Sequence, residues 1–282
     1  MCSTCGCGNT DKITIRKVGE DSGDELNFGM LLPRESDHEH GHHHSHAHTH
    51  KHHHGHEEHN HGKTVVELER EILHENNLMA ERVRGYLQAK SIFALNWMSS
   101  PGSGKTSLLE RTLKDLNDRF RFYVIEGDQQ TMQDAQRIDA LHIPVVQVNT
   151  GKACHLDSEM VYRAIQKLDP DFESILMIEN VGNLVCPAGF DLGEDERVVV
   201  ISVTEGEDKP LKYPDMFETA GVCLINKIDL LPYVPFDVEN MKTYARRIKP
   251  DMLFFEVSAL TGEGMDQWYA WLASRFENKK KK

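Results

Sequence analysis

From Met98 to Ser107 the chain reads MSSPGSGKTS, between the apolar run IFALNW and the helical period of KTSLLERTLKDL. A Gly-containing turn between a strand and a helix lets backbone N–H groups close around a phosphate, and the helix N-terminus favours its charge. The usual pattern is G-x-x-x-x-G-K-[ST]. Ser99 stands where the first Gly is expected, while Gly102, Ser103, Gly104, Lys105, Thr106 and Ser107 keep the register. Lys105 would reach the β and γ phosphates, and Thr106 would ligate Mg²⁺. The competing reading is a plain Gly turn, which the length and context of the match disfavour.

A second group names the base. Asn226, Lys227 and Asp229 form NKID after the apolar run VCLI, and Ser258, Ala259 and Leu260 follow the last strand candidate. An Asp in that place accepts two hydrogen bonds from guanine N1–H and its 2-amine. Adenine lacks that donor pair and would leave the carboxylate unsatisfied. The expected nucleotides are therefore GTP and GDP. Between the two groups lie EGDQQT and ENVGNL. Asp128 follows a strand and could bind Mg²⁺ directly or through water. Glu179 to Gly182 takes the place of D-x-x-G, and Gly182 could offer its N–H to the γ-phosphate. In small GTPases a Gln beside that Gly orients the attacking water. Asn183 stands there instead, so slow intrinsic hydrolysis is expected.

Thiols and imidazoles form the third group. Fourteen of the chain's 17 histidines fall between Asp37 and Lys63, among them His42, His43, His44, His52, His53 and His54. Neutral imidazole suits Ni, Zn and Cu, and a tract with almost no apolar residues cannot bury a core. It reads as a flexible metal-holding tract, with a polar spacer as the alternative. Cys2, Cys5 and Cys7 lie close together in MCSTCGC; three thiolates with an N-terminal amine or backbone nitrogen could bind Ni²⁺ in a planar set. Cys154, His155 and Cys186 each follow a strand candidate and could converge as an incomplete set of three ligands, which two chains would complete by pairing. Two half-buried thiols with no ligand role remain the alternative there. Cys223, inside VCLI, is read as core.

These residues need a frame that holds loops beyond strand ends. RFYVIEG, PVVQVN, SILMIEN, RVVVISV and MLFFEVS join IFALNW and VCLINK as strand candidates, separated mostly by helical stretches such as DSEMVYRAIQKL and VENMKTYARRI. Continuous apolar strands alternating with helices indicate an α/β fold with a mainly parallel sheet flanked by helices. Ligands in such sheets sit beyond the C-terminal strand ends. The chain divides into a Cys motif (1–8), a disordered His-rich tether (9–63), an amphipathic helix (64–90) and a nucleotide-binding domain (91–278). The helix rests on Val65, Leu68, Ile72, Met79, Val83 and Leu87 at near-helical spacing. Of 282 residues, 45 are Asp or Glu and 32 are Lys or Arg, a net charge of −13 that argues against general nucleic-acid binding. No apolar run approaches a membrane span and the start has no signal-peptide character, so a cytoplasmic setting is expected, with cysteines as thiols or ligands.

The segments MCSTCGC, SSPGSGKT, EGDQQT, NTGKACHLD, ENVGNLVCPAGFDLG, VTEGEDKPLKYP, NKIDLLPY and SALTGEGMDQW together resemble the hydrogenase nickel incorporation (HypB) family, P-loop GTPases of the SIMIBI class. The resemblance covers the start and everything from about residue 65 onward. It implies a slow GTPase that dimerises through its switch regions and delivers nickel to a [NiFe]-hydrogenase large-subunit precursor. It also implies work with the small zinc-containing partner HypA, and nickel storage by His-rich tethers. Carried onto this chain, it makes Cys2, Cys5 and Cys7 a tight nickel site. Cys154, His155 and Cys186 become a nickel or zinc site near the dimer interface. Ser99 agrees with the family. A urease accessory GTPase is an alternative, but its Cys-Pro-His motif fails here, where Ala188 follows Pro187. A nickel store with a vestigial nucleotide site is another, opposed by the intact Lys105, Thr106, Asn226, Lys227 and Asp229.

Overall fold

A computed structural model describes residues 13–20, 24–26, 65–129 and 132–281. Its strands are β1 (Ile13–Lys17), β2 (Asp24–Leu26), β3 (Phe93–Ser99), β4 (Phe122–Asp128), β5 (Val145–Asn149), β6 (Ile175–Glu179), β7 (Glu196–Ser202), β8 (Val222–Asn226) and β9 (Leu253–Glu256). They form one sheet in the order β2-β1-β5-β4-β6-β3-β7-β8-β9. From β5 to β9 every pairing is parallel. All seven residues of β3 are buried, as befits a central strand covered on both faces. The helices are α1 (Val65–Ala89), α2 (Lys105–Leu116), α3 (Gln133–Asp139), α4 (Ser158–Leu168), α5 (Lys209–Lys212), α6 (Pro214–Thr219), α7 (Val238–Ile248) and α8 (Met265–Lys280). Among the described residues, no helix is long and apolar enough to cross a membrane.

From β3 the chain first builds outward to β4 and β5, then returns through β6 and builds to the other side with β7, β8 and β9. This reversal opens a crevice beyond the C-terminal ends of β3 and its neighbours, where a parallel sheet receives ligands. Beneath it, Trp97 of β3 meets Trp268 of α8 edge-on, with ring centroids 5.5 Å apart. Trp268 Nε1 donates to Thr112 Oγ1 of α2 at 3.0 Å, so the helix that starts at the crevice is anchored in the core.

Two features depart from the sequence reading. The stretch 9–63, read as a tether, contains β1 and β2. Ile13 and Ile15 are 3% and 1% exposed and extend the apolar cluster around Val146 and Val148. Five residues of period-two pattern were submerged in the polar composition around them. Strand β1 pairs antiparallel with β5, with Thr14 opposite Asn149. The other departure concerns α1, helical where a helix was read over 64–90. Ala80, Val83 and Leu87 are buried, but Ile72 is 45% exposed and Leu78 56%. A helix of 25 residues is about 37 Å long, and its exposed apolar residues Val66, Ile72, Leu73 and Leu78 all precede the buried Ala80, Val83 and Leu87.

Candidate nucleotide and metal sites

The turn between β3 and α2 is shaped by its glycines. Gly104 has φ +88°, and a Cβ there would stand 2.6 Å from Asn226 Nδ2. Only Gly fits, because the backbone is left-handed and the space belongs to Asn226. Asn226 Nδ2 donates to Ser103 O at 3.0 Å, while its Oδ1 accepts from Ala259 N at 3.2 Å. The Asn of NKID thus staples the phosphate loop to the Ser258–Leu260 loop. Lys227, itself left-handed at φ 64°, donates from Nζ to Gly102 O at 2.7 Å. Asp229 Oδ1 accepts from Ser258 Oγ at 2.6 Å. Leu260 is 82% exposed. The two motifs therefore meet through Asn226 and Lys227, beside an open cavity of about 440 Å³ lined by Ser99 to Ser107 and, from the second motif, by Lys227.

Its floor is acidic. Glu179 Oε1 accepts from Lys105 Nζ and from Thr106 Oγ1, each at 2.6 Å. Carboxylate oxygens of Glu126, Asp134 and Glu179 lie within 4.8 Å of one another. Glu126 and Glu179 are 2% and 1% exposed, and the Oε2 of each has no hydrogen-bond partner among the described residues. Burial, reinforced by the negative Glu179, pushes the Glu126 carboxyl up to about 9. Orphaned buried carboxylate oxygens beside a hydroxyl suit a hard divalent cation, so the donor set fits Mg²⁺. Asp128 Oδ1 accepts from Gln129 N at 2.6 Å and lines the same cavity. Glu126 and Asp134 were not picked from sequence. The available signal was a carboxylate inside the apolar run RFYVIEG, since an unpaired buried acid is costly unless it has work to do.

Donor atoms of Cys154, His155 and Cys186 also lie within 4.8 Å of one another. Cys154 and Cys186 are paired as a disulfide, with Cα atoms 6.2 Å apart. The expectation that these cysteines are separate thiols is corrected for this pair. The physical reason is proximity: two side chains near enough to share one ion are near enough to bond each other. Thiolate, not disulfide, is the metal ligand, so only the reduced pair offers a site. His155 stacks on Phe190 at 3.9 Å between centroids, and burial pulls its imidazole down to about 4. It is neutral at physiological pH and keeps a lone pair for a metal. Cys223 is fully buried in β8. Cys2, Cys5, Cys7 and the histidines from His38 to His61, including His42–His44 and His52–His54, lie outside the described residues.

The model for the CobW/HypB/UreG nucleotide-binding domain matches residues 95–256. A hydrogenase maturation factor HypB from Azotobacter vinelandii is 56% identical over 208 residues, 74% of this chain and 69% of that protein. The chain belongs to the HypB family of hydrogenase maturation factors. Solved HypB structures agree with the fold. One from Archaeoglobus fulgidus has TM-score 0.67 and 40% identity, covering 72% of this chain and 98% of that one. Another, HypB from Helicobacter pylori in complex with nickel, has TM-score 0.68 and 36% identity, covering 72% and 96%.

Proposed function

We propose that the chain is a GTP-hydrolysing nickel chaperone that binds, stores and delivers Ni²⁺ for insertion into the large-subunit precursor of a [NiFe]-hydrogenase. One observation carries this reading: Glu179, which holds Lys105 and Thr106, begins the segment that runs through Gly182 to Cys186. Lys105 is ion-paired with Glu179 at 2.6 Å. GTP competes for it: Lys105 turns to the β and γ phosphates, and backbone N–H groups of Gly102 to Lys105 close on them. Thr106, Asp128, Glu126 and Glu179 would hold Mg²⁺, which would supply positive charge against the phosphates. Gly182 meets the γ-phosphate through its N–H. Asp229 reads guanine, with the stem of Lys227 over the base and the Ser258–Leu260 backbone near O6. With Asn183 in place of a Gln, turnover is slow.

Nickel is cargo. Cys154, His155 and Cys186 supply three donors, one short of the tetrahedral set that Zn²⁺ favours, and a second copy of the chain at the same site completes it. The working form is a homodimer, assembled when GTP orders the loops around Gly182 and Cys186. Cys2, Cys5 and Cys7 form a tight nickel site and the His-rich tract a store; HypA and the hydrogenase precursor are the partners in delivery. The setting is cytoplasmic, without nucleic acid or membrane. The test is deletion of the gene in its native host, with hydrogenase and urease assayed with and without added nickel. Hydrogenase activity should fall and return with the wild-type gene but not with Lys105→Ala. Unchanged hydrogenase activity in nickel-poor medium would refute the reading, and loss of urease alone would move it to urease maturation.

A further inference from the structure

A chain of buried amides connects the two sites. Asn180 directly follows Glu179 and is fully buried, as is Asn96 on β3. Asn180 Oδ1 accepts from Leu156 N at 3.0 Å, the residue next to His155, and from Val181 N at 3.0 Å. Asn180 Nδ2 donates to Asn96 Oδ1 at 3.2 Å, and Asn96 Nδ2 donates to Glu194 Oε1, also at 3.2 Å. Arg197 Nε donates to the same Glu194 oxygen at 2.6 Å. Its two terminal nitrogens donate to Ala188 O and Phe190 O, each at 2.9 Å. Ala188 belongs to the short 3₁₀ turn Cys186–Gly189, and Phe190 is the ring stacked on His155.

The polarity of this chain leaves each amide one orientation. A carboxylate only accepts, so Asn96 must turn its NH₂ to Glu194 and its oxygen to Asn180. Asn180 must then donate to that oxygen, which leaves its own oxygen for the N–H of Leu156 and Val181. Both ends agree, and neither amide can flip without opposing like groups. Such a network has no slack: a shift at Asn180 either moves its neighbours or strands buried polar groups, at about 1–3 kcal/mol each.

We propose that Asn180, acting through Leu156 on one side and through Asn96, Glu194 and Arg197 on the other, is the positioning residue by which nucleotide state sets the geometry of the Cys154–His155–Cys186 site. The inference rests on the proposed function above. Its two-state element is Glu179, whose Oε1 holds Lys105 and Thr106 and gives up Lys105 when phosphate takes that lysine. One arm then carries the displacement to Cys154 and His155, and the other to the turn of Cys186 and the ring that backs His155.

Asn96→Leu cuts the longer arm at a residue that touches neither ligand. The experiment titrates Ni²⁺ into the reduced full-length chain with GDP and with a non-hydrolysable GTP analogue. With the Cys2, Cys5 and Cys7 site already filled, it reads the further thiolate-to-nickel absorption that Cys186→Ala removes. Wild type should show affinities that differ between nucleotide states by a factor in the ordinary allosteric range, roughly 5- to 150-fold. Asn96→Leu should reduce the ratio several-fold toward one, leaving only the share carried through Leu156, while GTP-analogue affinity without metal is kept. A merely structural role would weaken both states equally and leave the ratio intact. Arg197→Lys, which keeps the charge beside Glu194 but not both carbonyl contacts, should give an intermediate ratio, and it stands in should Asn96→Leu fail to fold. A wild-type ratio of one would overturn the proposed function and this inference with it. A wild-type ratio that survives in the variants would overturn the inference alone.

Discussion

Ser99 to Ser107 makes a site from contiguous backbone, whereas Cys154 and Cys186 bring theirs together across 32 residues of sequence. The phosphate loop is fixed by what is absent: Gly104 has no Cβ because Asn226 occupies that place. The thiol–imidazole site is fixed by what surrounds it: Phe190 backs His155, and Asp157 caps α4 by accepting from Met160 N at 2.8 Å. The first can be shaped without its ligand. The second depends on loops whose positions answer to Glu179 and Asn180. A rigid phosphate cradle beside an adjustable metal site suits one event being used to drive the other.

Breaking the cradle should have the largest effect. Gly104→Ala places a side chain where φ is +88° and a contact of 2.6 Å awaits it. Backbone strain of about 1–3 kcal/mol adds to that clash, so GTP-analogue affinity should fall by at least about 100-fold in calorimetry. Ni²⁺ binding at Cys154, His155 and Cys186 without nucleotide should change little. A variant that still binds GTP normally would show that the loop is not the phosphate site. Cys186→Ala attacks the other half of the comparison. Ni²⁺ affinity at this site should drop by about 10–100-fold or more, while GTP-analogue affinity measured without metal stays as in wild type. Equal losses in both would mean that the sites are not separable.

The smallest effect sharpens the comparison through the acidic floor. The Glu126 carboxyl, pushed up to about 9 by burial and by Glu179, lies above its unfolded value. The stability its protonation contributes is complete below the unfolded value and is lost as pH rises through the folded one. Glu126→Gln stays neutral and loses nothing there. In urea unfolding of nucleotide- and metal-free protein, wild type should lose stability as pH rises from about 5.5 to about 8.5 more steeply than the variant does. Parallel pH profiles would contradict the assignment of Glu126 as a buried neutral acid.

The parallel sheet was legible because its seven strands are apolar runs of useful length bounded by motif loops, and contiguous motifs announce their own chemistry. Strand β1 was not, because Ile13 and Ile15 are too few to stand out from a polar neighbourhood; their partners, such as Val148, lie far along the chain. The convergence of Cys154, His155 and Cys186 came from family resemblance more than from spacing, since spacing says nothing about loops that meet in three dimensions. The bonding of Cys154 to Cys186 was illegible for the same reason. Asn96 and Asn180 look like ordinary polar residues flanking strands, and only their burial and hydrogen-bond polarity mark them.

The central claim is that nucleotide and nickel are linked through one domain, and linkage is reciprocal. The most direct test measures the affinity of the reduced full-length chain for a non-hydrolysable GTP analogue with Mg²⁺, first without nickel and then with Ni²⁺ saturating the Cys154–His155–Cys186 site. The account predicts a change in analogue affinity equal to the factor by which the analogue changes nickel affinity, a coupling of about 1–3 kcal/mol. Identical analogue affinities with and without nickel would contradict it.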